Sequence, residues 1–187
     1  NNDWGAVSYE MDISTRLHFE KLLIPTVTCY CDIPFDSLGL HLAKYGKFGV
    51  ALSRHHLIKY GARPVMYVPL QVDEWSNARG GGSALLSSIE ATFRGLHSQL
   101  LTREIQTASR SIDPTKEPST PEDAAAHLNS TIALEWLAFL KPYNAILTDT
   151  DPHYYYAERE WRKFGNMCFE ISDVTRVVVH PDFAERA

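Results

Sequence analysis

"TVTCYCDIPFDSLGLHLAKYGKFGVALSR", residues 26–54, is the stretch on which the fold turns. It opens with β-branched and apolar residues, so a buried strand is expected from about Thr26 to Cys31. "DIPFDSLGLHLAKYG" then turns and carries a short helix, expected over Asp36 to Lys44, with Gly46 in the left-handed position that ends it. "GVALS" reads as a second strand. Ser53 can cap the next helix, "RHHLIKYG", which Gly61 stops. "RPVMYVPL" reads as a third strand, opening and closing on proline.

The pattern changes on the far side of that block. Leu86, Ile89, Phe93, Leu96 and Leu100 recur at helical spacing, with Ser83 as the expected cap and Gly95 inside the pattern. "SIDPTKEPSTPEDA" is rich in Pro, Ser, Thr and acid and reads as a loop. Thr120, Pro121, Glu122 and Asp123 then make a helix start: cap, proline at the first position and an acidic first turn. Its apolar face is expected to be Leu128, Ile132, Trp136, Phe139 and Leu140, and Lys141-Pro142 is expected to end it. Strand signals return in "HYYYAEREWRKF" and "VTRVVVHP". The expected fold is therefore α+β: a small mixed or antiparallel sheet with a helical middle insertion. One domain is expected over residues 1–187, with strand-rich blocks at 20–72 and 142–183 and the insertion at 83–141. The polar, abrupt start "NNDWGAVSYEMD" suggests that an N-terminal element precedes it.

Composition narrows the function classes. A net charge of -5 argues against binding nucleic acid over the whole surface and leaves room for a local basic patch. No apolar run is long enough to span a bilayer, so no membrane partner is expected. Three cysteines, Cys29 and Cys31 among them, make no disulfide framework and point to reduced thiols and a cytoplasmic setting. The Cys29/Cys31 spacing is too tight for a structural zinc pair and Cys168 stands alone, so no metal site is expected. Buried packing is the expected role of the strand cysteines, and surface or packing roles that of His55-His56.

Chemistry is more visible in the last strand. If "YYYAEREWR" is extended, Tyr154, Tyr156, Glu158, Glu160 and Arg162 share one face. The two glutamates would then lie roughly 7 Å apart at their backbones, repel, and raise at least one pKa unless Arg162 offsets it. A carboxylate pair beside aromatic rings suits a reaction passing through positive charge on a sugar. A solvated edge strand accounts for the same pattern. Asp32, at a strand end before a turn proline, and His41 are the candidates in the opening stretch, though an Asx-turn accounts equally well for Asp32. Tyr45 and Gly46 begin a Tyr-Gly-Lys-Phe-Gly loop that can bring backbone close to a ligand. Gly80-Gly81-Gly82 precedes a helix and reads as a connector.

Two blocks together carry a family resemblance. "CYCDIPFDSLGLHLAKYGKFGVALSRHHLIKYGARPVMYVP" resembles the core block of the AbiGi family of abortive phage-infection proteins: a strand ending in Cys-Asp-Ile-Pro, a His, Tyr-Gly-x-x-Gly and a downstream Pro-Val-x-Tyr. "YYYAEREWRKF" resembles that family's C-terminal block. The resemblance implies a bacterial phage-defence protein, the antitoxin half of a pair, with a cognate toxin or antitoxin protein as partner. The layout is also similar to ADP-ribosyltransferases of the DarT type, in which a Glu-x-Glu strand supplies the catalytic carboxylate. That similarity implies NAD as the ligand and a nucleic-acid or protein acceptor. Glu160 would stabilise the ribose cation and Glu158 would position the acceptor. Tyr45 or Tyr156 would stack on nicotinamide, and His41 or Arg162 would hold phosphate or ribose. The chain departs from that layout at its start, where His18-Phe19 is followed by Glu20 instead of threonine. The alternative implied by the family is a non-catalytic antitoxin that neutralises a toxin by contact.

Overall fold

The computed structural model describes residues 9–17, 21–70, 81–104, 120–148, 150–151 and 153–180. In chain order the elements are β1 (Tyr9–Met11), β2 (Leu23–Pro25), β3 (Val27–Cys31), α1 (Gly39–Tyr45), β4 (Gly49–Leu52), α2 (Arg54–Lys59), β5 (Arg63–Pro64), β6 (Met66–Leu70), α3 (Gly82–Glu104), α4 (Pro121–Thr131), β7 (Leu140–Asn144), β8 (Glu160–Phe164) and β9 (Val174–Val178). The fold is α+β, with small, separate sheets. Contacts divide the chain into two compact units: Asn1–Tyr9 with Pro25–Val65 and Ala145–Ala187, and Glu10–Ile24 with Met66–Asn144.

The first unit holds an antiparallel sheet in the order β3-β8-β5 and an antiparallel pair, β4-β9. β3 forms where the β-branched run predicts it. Its Cys29 pairs with Arg162 and its Cys31 with Glu160. Both cysteines are exposed, against the expectation of buried thiols, because the face they share is only partly covered. The helix expected from Asp36 to Lys44 is two pieces, a 3-10 turn at Phe35–Ser37 and then α1. The Ser53 hydroxyl accepts from the His56 N–H at 3.1 Å and starts α2 as its sequence foretells.

Two expected strands are cut short. "RPVMYVPL" divides at the buried Val65: β5 pairs with β8, while β6 runs parallel to β7 in the second unit. "HYYYAEREWRKF" is extended only from Glu160. Tyr155–Glu158 form a 3-10 turn, and Arg159 adopts the left-handed conformation at φ 46°, ψ 50°. The reason lies in the partner strand. β3 ends at Cys31, the Asp32 N–H still donates to the Arg159 carbonyl at 3.1 Å, and Pro34 beyond it has no N–H for the ladder.

In the second unit Leu86 and Phe93 of α3 are buried with Ile132, Ala133, Leu137 and Ala138. The Thr120 hydroxyl accepts from the Asp123 N–H at 3.0 Å, so α4 begins as expected. α3 begins at Gly82, which puts Ser83 inside the first turn rather than at the cap. Lys141-Pro142 does not end a helix. α4 widens into a π-turn at Ile132–Trp136, tightens to a 3-10 turn at Leu137–Phe139, and runs straight into β7. The extra residue in the wide turn shifts the buried side. Leu137 and Ala138 face the core, while Trp136 is 44% exposed and Leu128 is 45% exposed. Of the loop expected at residues 111–124, residues 111–119 lie outside the described residues, as does Gly80.

Candidate functional site

The left-handed turn at Arg159 decides what the two glutamates do. In an unbroken strand they would share a face. Here Glu158 ends a 3-10 turn and Glu160 begins β8, and the two carboxylates go to different surroundings. Glu160 is 6% exposed, and its Oε1 accepts from the Arg162 Nε at 2.7 Å. Glu158 instead lines a cavity of about 630 Å³ with His41, Lys44, Tyr45, Tyr154 and Tyr156. That volume falls within the usual range for small-molecule sites.

α1 supplies one wall of this cavity. Its 3.6-residue period brings His41, Lys44 and Tyr45 to adjacent positions over one turn. Glu158 Oε1 accepts from Lys44 Nζ at 2.7 Å and from the Tyr45 hydroxyl at 2.6 Å. The Lys44 ammonium also lies 4.3 Å from the centre of the Tyr155 ring and 4.9 Å from that of Tyr45. Desolvation opposes the Lys44 charge, but the hydrogen bonds and the Glu158 charge outweigh it and hold the Lys44 pKa above its usual value. Burial, then the bond to Glu158, pushes the Tyr45 hydroxyl up, so it stays a donor.

His41 stacks obliquely on Tyr45, ring centres 4.6 Å apart. Burial lowers its pKa, with the Lys44 charge adding to that and Glu158 opposing it. Its Nδ1 is buried with no hydrogen-bond partner among the described residues. A neutral ring with an open, buried nitrogen can accept a proton or bind a ligand donor.

The other expected site residues are placed differently. The Asp32 carboxylate pairs with Arg54 at 2.9 Å and does not line the cavity. Gly46 ends α1 at φ 117°, a conformation that requires glycine, and is a structural stop. Arg162 is held by Glu160, and neither faces the cavity. His41, Tyr45, Tyr156 and Glu158 are the expected residues that the fold brings together. Lys44, Tyr154 and Arg159 line the cavity as well, and the sequence reading gave them no role. The period-2 pattern put Arg159 on the face opposite the glutamates, and nothing in an arginine signals a left-handed turn. Among the described residues no group of three or more His, Cys, Asp or Glu side chains is placed to hold a metal.

These features define a small α+β protein with a tyrosine-walled, carboxylate-bearing cavity at the end of a short strand. The chain belongs to the AbiGi family, described as "Putative abortive phage resistance protein AbiGi, antitoxin", whose pattern matches residues 7–184. No curated protein and no solved structure matches it. Among the described residues no helix is long and apolar enough to cross a membrane.

Proposed function

We propose that this chain acts in abortive phage defence through the Glu158 cavity, which takes a ribose-bearing ligand of the NAD type and supports ADP-ribosyltransferase-like glycosyl transfer. The observation that carries the reading is the position of Glu158, held by Lys44 and Tyr45 in a cavity walled by tyrosines. A carboxylate fixed by two donors can stabilise positive charge on a ribose without reorganising. In such a transfer the C1′–N bond breaks and its electron pair leaves on nicotinamide. The acceptor's nucleophile then bonds to C1′, and its proton passes to a base. His41 lines the same cavity, and burial, which lowers its pKa, keeps the ring neutral and able to take that proton. Tyr45 and Tyr156 offer ring faces for nicotinamide. Glu160, which the resemblance cast as the catalytic carboxylate, is buried against Arg162, and this reading moves that role to Glu158. The acceptor is a protein or nucleic-acid nucleophile.

The test is calorimetric titration of NAD, with nicotinamide release followed by chromatography, on wild type and Glu158→Gln. Saturable binding and a product that the variant loses support the reading; a folded wild type that neither binds nor cleaves NAD overturns it.

One observation favours a second reading, an antitoxin acting by contact alone. Val50 of β4 and Val177 of β9 are cross-strand partners, 53% and 60% exposed, and Phe48 beside them is 67% exposed. An exposed β-branched pair on a two-stranded ribbon suits docking of a toxin. In that case Val50→Asp abolishes co-purification with the co-expressed toxin, while Glu158→Gln leaves it intact.

A further inference from the structure

The cavity holds a second cation whose role differs from that of Lys44. Arg159 lines the wall, and its side chain has no hydrogen-bond or ion-pair partner among the described residues. The neighbouring cations are engaged: Lys44 with Glu158, Arg162 with Glu160 and Arg54 with Asp32. Arg159 is also the one non-glycine residue with positive φ among the described residues. Its backbone is fixed on both sides. Its carbonyl accepts from the Asp32 N–H at 3.1 Å, and its N–H points back to the Tyr156 carbonyl at 3.5 Å. A strained backbone thus sets an exposed arginine among the residues that line the cavity. Such strain tends to persist where it serves a site.

We infer that Arg159 is the phosphate-recognising residue of this cavity and that the ligand is a nucleotide carrying few phosphates. A guanidinium fork suits two phosphate oxygens at once. The rest of the lining refines the class. Asp36, Asp151 and Glu158 also line the cavity, so its field as a whole is not positive. With Lys44 already paired to Glu158, the lining favours a ligand with few phosphates over a long polyanion. A ligand with hydroxyls for the carboxylates, a ring for the tyrosines and one or two phosphates for Arg159 matches every wall. This assignment rests on the reading that the cavity holds a ribose-bearing ligand.

The test compares NAD with nicotinamide riboside, which lacks its phosphates and adenosine, on wild type, Arg159→Asn and Glu158→Gln, with nicotinamide mononucleotide, which adds one phosphate alone to the riboside, required to weaken on Arg159→Asn as NAD does. Asparagine tolerates the left-handed conformation, so the variant keeps the turn. The expected result is that Arg159→Asn weakens NAD binding about tenfold or more, leaves nicotinamide riboside unchanged, and melts no lower than wild type. A charge-assisted contact of this kind has that order of effect. If NAD binds Arg159→Asn as it does wild type while Glu158→Gln weakens it, the Arg159 assignment is wrong and the cavity reading stands. Equal weakening of both ligands also refutes phosphate recognition. If neither ligand binds wild type, both readings fall.

Discussion

Replacing Arg162 with methionine should unfold the first unit far more readily than replacing both members of its ion pair. The side chains of Arg162 and Glu160 are 11% and 7% exposed, and Nε meets Oε1 at 2.7 Å. Removing the guanidinium takes a short charge-assisted bond away from a buried carboxylate. Breaking such a buried pair costs about 3–5 kcal/mol, set against a total stability of about 5–15 kcal/mol for a domain. With a urea m-value of about 2 kcal/mol/M, the midpoint should fall by roughly 1.5–2.5 M. Tryptophan fluorescence reports the transition, since Trp161 lies between the two residues in β8. The double variant Glu160→Met with Arg162→Met should recover most of the loss, because neither charge is left buried. An Arg162→Met cost below about 1 kcal/mol, or a double variant no better than the single, would refute the structural role given to this pair.

Other expectations are sharper because they concern single contacts. A Cβ on Gly82 would come 2.0 Å from the Pro69 carbonyl oxygen, a backbone atom that cannot swing aside. Gly82→Ala should therefore destabilise by about 2 kcal/mol despite alanine's better helix propensity, as read by chemical denaturation. Ser53→Ala removes the cap of α2 and should cost about 1 kcal/mol; an unchanged melting point would show that the cap is idle. Burial holds the His41 pKa below its usual 6.5, so the unfolded chain binds more protons in that window. Stability should be full above about 6.5 and decline as pH falls toward the lowered value, and His41→Gln should flatten that slope in thermal melts.

The sequence alone determined the local elements whose signals are local. Ser53 and Thr120 cap helices because their hydroxyls reach an N–H two or three residues on, wherever the helix sits. The β-branched run of β3 and the aliphatic run of β9 are strands for the same kind of reason. The family, too, was legible in two blocks of residues. His41, Tyr45, Tyr156 and Glu158 could be named as candidates from residue type, but not assembled. What joined them was the end of β3. Once that strand stops before Pro34, the chain ahead of Glu160 has no ladder to join, and it coils into a turn closed by a left-handed arginine. Periodicity cannot register that event, because it depends on the length of a partner 130 or so residues earlier in the chain. So the sequence supplied two glutamates two residues apart, and the tertiary structure separated them. It locked one against Arg162 inside the sheet and set the other, with Lys44 and Arg159, at the wall of the cavity.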